Sequence, residues 1–189
     1  WIDLALSYNP NTSIYIGLPW KDFPADYTDA TVYSSFMQET AAYVWPFIKD
    51  LRGMYPNSNI LYFDYGSIVG KMRHLFEDDE LVGISSFIKS GGATKRTSLF
   101  SDTKGHSGTM TLDMTALSYL NWFYGRSIES NVDSASDLLG WNRQNVVDIF
   151  SAASEANEEY MLLGTTSSAP NKFKFLLQYL YTVIFFFWY

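Results

Sequence analysis

Between residues 99 and 108 the chain reads Leu-Phe-Ser-Asp-Thr-Lys-Gly-His-Ser-Gly, which places Asp102 and His106 in one glycine-punctuated loop between apolar segments. His106 is one of only two histidines. Imidazole is the side chain whose ordinary pKa, about 6.5, suits proton transfer near neutrality. A carboxylate beside it fixes the tautomer and stabilises the cation formed when the ring takes up a proton. Such a pair is what a hydrolase uses to activate a hydroxyl nucleophile. The plainer alternatives are a loop histidine bound to a backbone carbonyl and a turn-forming aspartate. No serine among the 189 residues has the surroundings of a nucleophile. Ser67 follows Gly66 after a strand-like run, but that position suits a helix N-cap.

Other candidates carry less chemistry. His74 lies in Lys71-Met72-Arg73-His74-Leu75-Phe76, an amphipathic helical pattern in which it is a surface or boundary residue. The run Glu77-Asp78-Asp79-Glu80 lacks the interleaved glycine and carbonyl ligands of a calcium loop and reads as a solvated helix end. Gly91-Gly92 has no Gly-Lys-Ser/Thr continuation and reads as a flexible connection rather than a phosphate loop. With no cysteine there is no disulfide and no thiolate metal site, so no metal and no cofactor are expected. A net charge of −7 without a basic stripe argues against a nucleic-acid partner.

The elements that must position the loop follow from periodicity and punctuation. Residues 1–7 read as a helix end closed before Pro10, and residues 12–18 as a buried strand stopped by Pro19. A helix is expected over 30–52 with a kink at Pro46, a strand over 59–65 and a helix over 66–77. This alternation argues for an α/β fold with parallel strands and crossover helices, in which ligands sit beyond the carboxyl ends of the strands. Residues 96–100 read as a short last strand, which sets Asp102 and His106 just past its end. A helix over 108–124 capped by Gly125, a polar linker over 126–137, a helix over 148–161 and a flexible break over 164–170 complete the pattern.

Three regions are expected: an α/β domain over 1–125, a helical extension and linker over 126–170, and an aromatic apolar helix over 171–189. The last, from Phe173 to Tyr189, has a single polar stripe of Lys174, Gln178 and Thr182 spaced four apart. It is slightly short for a membrane span. Contact with a membrane or another protein subunit is expected of it, because so much aromatic surface left open would aggregate. The chain begins at Trp1 rather than Met, and an incomplete sequence is expected.

Several motifs recur together in one family. Asn9-Pro10-Asn11-Thr12, Gly17-Leu18-Pro19-Trp20, Tyr55-Pro56, Tyr65-Gly66 and Asp102-Thr103-Lys104-Gly105-His106 occur in this order. Residues 9–125 thereby resemble the carboxyl-terminal two thirds of an SGNH/GDSL-type hydrolase. The resemblance implies a three-layer α/β/α fold with a mostly parallel sheet, its first strand absent here, followed by C-terminal helices. It implies an ester or O-acetyl ester substrate, with His106 as base and Asp102 as its orienting acid. The family's acid commonly stands three residues before the histidine, whereas Asp102 stands four before His106. The serine of the family lies upstream of any residue present here. The asparagine that usually serves the oxyanion hole is replaced by the Gly17-Leu18-Pro19-Trp20 strand end, where Gly17 is left to offer a backbone N–H and Trp20 to wall a pocket. A catalytically silent accessory subunit of a membrane-associated assembly is the alternative implied by those two losses and the aromatic tail.

Overall fold

The computed structural model describes residues 1–124 and 128–164. Helix α1 (Ile2–Tyr8) leads into strand β1 (Ser13–Leu18), a single 3₁₀ turn at Pro24–Asp26 and the long helix α2 (Ala30–Met54). Strand β2 (Asn59–Asp64) and helix α3 (Gly66–Glu77) follow, then the short strands β3 (Ser86–Ile88) and β4 (Ser98–Phe100). Helices α4 (Thr109–Tyr124), α5 (Ile128–Leu139) and α6 (Arg143–Gly164) close the described chain.

The fold is mixed α/β, and each ladder between described strands is parallel. β1 pairs with β2 from Ser13 opposite Asn59 to Leu18 opposite Asp64, with α2 as the crossover. β3 pairs with β4 at Ser86 opposite Ser98 and Ile88 opposite Phe100. These are two sheets of two strands each rather than one continuous sheet. The backbone of β4 gives the reason: one edge meets β3, and the other is filled by the chain's own return, through Gly108 N–H to Leu99 O at 2.7 Å and Ser101 N–H to His106 O at 2.7 Å. No edge of β4 is left for β2. The return is possible only because residue 108 is glycine, since a Cβ there would stand 1.9 Å from the Ser98 carbonyl oxygen.

Helix boundaries follow local chemistry. Asp29 caps α2 by accepting from Val32 N–H at 2.8 Å. α2 continues as one element through Pro46, where a kink was expected. α3 starts directly after β2, and Asp64 accepts from both Ser67 N–H (3.0 Å) and Ser67 Oγ–H (2.6 Å). Ser67, expected as the N-cap, thus sits inside the first turn and is itself the donor. Where a polar linker was expected, α5 stands as a helix, and α6 begins at Arg143 rather than near residue 148. β3 escaped the sequence reading altogether.

The main core joins Tyr33 and Met37 of α2, Phe63 of β2, Met72 of α3, Leu99 and Phe100 of β4, Met114 of α4 and Ile149 and Phe150 of α6. A smaller cluster, Leu18, Ala41, Trp45, Ile48 and Tyr62, lies between α2 and the β1–β2 pair. Among the described residues no helix is long and apolar enough to cross a membrane. The expected C-cap Gly125, the break beyond residue 164 and the aromatic segment 173–189 lie outside the described residues.

Candidate acid–base site

The loop after β4 folds around the Asp102 carboxylate. Its Oδ1 accepts from the backbone N–H groups of Lys104 (3.0 Å), Gly105 (3.2 Å) and His106 (3.3 Å). Its Oδ2 stands 2.5 Å from His106 Nδ1. The turn needs Gly105 in the left-handed region, at φ +98°. The His106 N–H bond to Oδ1 and the ring contact to Oδ2 together tie both ends of the residue to one carboxyl group. That contact replaces the backbone-carbonyl partner of the plainer alternative. The His106 side chain remains 67% exposed and that of Asp102 43% exposed. The His106 hydrogen bond, followed by the backbone donors, holds the Asp102 carboxyl below its ordinary value of 3.8.

A second loop, the one after β1, grips this turn from the other side. Trp20 Nε1–H donates to Gly105 O at 2.8 Å, and Phe23 N–H donates to Lys104 O at 3.1 Å. A Cβ on Gly105 would stand 3.1 Å from Pro24 Cδ, so the two loops are in close contact. Phe23 adopts a left-handed conformation, φ 52°, as the chain enters the 3₁₀ turn. Trp20 therefore braces the histidine loop, and its indole packs nearly perpendicular to the Tyr65 ring at a centroid distance of 5.6 Å.

Gly17 lies inside the β1–β2 ladder opposite Phe63, under the ring of Tyr65. A Cβ there would be 2.9 Å from Tyr65 Cε1 and 3.6 Å from the Tyr119 hydroxyl. Burial pushes the Tyr65 phenol up to about 12, with smaller contributions from Tyr119 and Asp64, and burial also raises Tyr119. Both phenols therefore keep their protons at neutral pH. Asp64, at the carboxyl end of β2, is raised by burial despite its bonds to Ser67 and Gly66.

One residue that the sequence reading passed over organises the whole region. Arg73 is 3% exposed and donates to Pro24 O (2.9 Å), Tyr27 O (2.8 Å) and Glu77 Oε1 (2.8 Å). Its guanidinium also lies over the rings of Phe87 (4.5 Å) and Tyr33 (5.1 Å). Arg73 thus pins the 3₁₀ turn against which the histidine loop packs. Glu77 additionally accepts from Ala30 N–H at 2.7 Å, so the first member of the acidic run is structural. Among the described residues no three His, Asp or Glu side chains converge as a metal-ligand set. His74 is half-buried on α3, as its helical position suggested. Comparison with family models, curated proteins and solved structures finds no match to this chain.

Proposed function

We propose that Asp102 and His106 form the acid–base half of an SGNH/GDSL-type ester hydrolase whose serine lies outside these 189 residues. In this reading residues 1–125 are the carboxyl-terminal part of a three-layer α/β/α domain. The observation that carries it is the 2.5 Å approach of Asp102 Oδ2 to His106 Nδ1. A carboxylate at Nδ1 holds the proton there and leaves Nε2 as the basic nitrogen. Nε2 takes the proton of a serine hydroxyl as the oxygen attacks an ester carbonyl, and returns it to the leaving alcohol. The exposure of the ring suits contact with a second chain segment and a substrate.

The test is labelling of the protein, extended to include the residues preceding Trp1, with a fluorophosphonate probe that traps activated serines. Labelling that is lost in His106→Ala supports the reading. A folded protein that takes no label, or one labelled equally in His106→Ala, sinks it.

A second reading, a catalytically silent accessory subunit at a membrane, is favoured by the strand end of β1. The Trp20 indole N–H is already spent on Gly105 O, so it is not free to stabilise an oxyanion. Here the aromatic residues 173–189 supply the contact with lipid or subunit. Flotation of the unlabelled protein with lipid vesicles supports this reading, and a monomer that ignores vesicles counts against it.

A further inference from the structure

Helix α2 buries one face, through Tyr33, Met37, Ala41, Trp45, Ile48 and Leu51. Beside that face, about 110° round the helix from its centre, lie Phe36, Tyr43, Phe47 and Met54, which are 43%, 85%, 55% and 67% exposed. At 3.6 residues per turn these four fall within about 40° of one another, along roughly 27 Å of helix. With Thr40 and Asp50 between them the positions run 36, 40, 43, 47, 50 and 54, the alternating four-and-three spacing of a coiled-coil seam. Such a row of exposed large apolar side chains, of which Phe36 also packs on the Tyr27 ring at a centroid distance of 5.2 Å, marks an interaction surface.

The order of the residues says what covers it. From either end the line reads apolar, polar, aromatic, aromatic, polar, apolar: Phe36, Thr40, Tyr43, Phe47, Asp50, Met54. A two-fold interface requires this self-complementarity, because residue i meets j while j meets i. Antiparallel pairing about an axis midway between Tyr43 and Phe47 sets Phe36 against Met54 of a second copy and Tyr43 against its Phe47. Thr40 then faces Asp50 of the copy, whose carboxylate takes the place of Phe36 O, 2.8 Å away in the single chain, as acceptor of the Thr40 hydroxyl proton. A parallel pair would instead set Asp50 against Asp50, and like charge in a seam rejects that alignment. We propose that α2 is the interface of a homodimer, packed antiparallel on α2 of a second copy through these six positions. The proposal is independent of the acid–base reading of the loop.

Because the chain contains no cysteine, single introduced cysteines report this pairing without background. Thr40→Cys and Asp50→Cys chains, mixed and oxidised, should form the mixed disulfide. Each variant alone should stay unlinked, because identical positions lie about 15 Å apart along antiparallel helices, beyond disulfide reach. Sedimentation should give a dimer for the native full chain and a monomer for Tyr43→Glu/Phe47→Glu with unchanged far-UV circular dichroism. A native chain that is monomeric at about 100 µM, with or without bound lipid vesicles, overturns the proposal. So does a Tyr43→Glu/Phe47→Glu chain that remains dimeric, or Asp50→Cys linking to itself in preference to Thr40→Cys. If the glutamate variant fails to fold, the mixed-cysteine experiment decides alone.

Discussion

Asp102 does two jobs with its two oxygens, and they respond differently to substitution. Oδ1 organises the turn through three backbone donors, whereas Oδ2 fixes the imidazole. Asp102→Asn retains an oxygen able to accept from the backbone but turns an amide N–H toward Nδ1. The ring must then hold its proton on Nε2, the wrong tautomer for a base. Imidazole ¹⁵N shifts should show the Nδ1–H tautomer in the native chain and Nε2–H in Asp102→Asn; identical shifts would refute this geometry. In a serine triad the same change costs about 10⁴ in turnover, the loss expected in any measured ester hydrolysis. Acid acts on the same pair. The folded carboxyl titrates below 3.8, so its stabilisation of the turn is complete above that value and lost as pH falls through the folded value. Amide protection at residues 104–106 should accordingly be flat above pH 3.8 and fall below it. This pair was legible in sequence because donor and acceptor lie four residues apart in one turn. The Trp20 bond to Gly105 O was not, since it spans 85 residues and its acceptor is a backbone atom that no side-chain pattern announces.

The loop after β1 is held by an element distant in sequence, and this arrangement shows what periodicity can and cannot read. The limits of α3 were readable, because the strand ends at a buried aspartate and the apolar spacing starts at once. The same spacing made Arg73 look like an ordinary polar position on an amphipathic helix. Its partners are the carbonyls of Pro24 and Tyr27, 49 and 46 residues earlier. α5 was misread for a related reason: its serines, aspartates and asparagine favour turns locally, and burial of Val132 and Ala135 in the core overrides that preference. Arg73→Met keeps much of the side-chain bulk but removes every donor, orphaning two carbonyls and leaving Glu77 without its ion pair. Breaking a buried pair costs about 3–5 kcal/mol, and the partial exposure of Glu77 lowers the expectation to about 2–4 kcal/mol. Urea unfolding measures that loss directly. Faster amide exchange at residues 104–106 should accompany it if the 3₁₀ turn truly braces the histidine loop; a stability loss with unchanged exchange there would show the brace to be unnecessary.

At the scale of the molecule, the question is whether the later helices are an appendage or part of one cooperative unit. Residues of α5 and α6 share a single core with β2, α3 and β4, and polar contacts lock the same junction. Trp141 Nε1–H donates to Asp113 Oδ2 at 2.9 Å, while the Arg96 guanidinium lies 4.3 Å over its ring. Asn145, 3% exposed, accepts from Val82 N–H at 3.0 Å and donates to Glu80 O at 2.7 Å. It thereby satisfies the chain just after α3 from a helix more than sixty residues later. Asn145→Ala removes both bonds, and because Val82 N–H also donates to Glu80 O at 3.1 Å neither group is orphaned, so the expected cost is that of two ordinary hydrogen bonds, about 1–2 kcal/mol. In a cooperative unit that loss falls on the whole fold, so tryptophan fluorescence and far-UV circular dichroism should move together to lower denaturant. An appendage would instead give two transitions, with the helical signal departing first and the strand-side tryptophans Trp20 and Trp45 unaffected. The shared packing of Ile149 and Phe150 with Phe63 and Leu99 argues for a single transition, because the helices cannot leave without opening the core beneath the histidine loop.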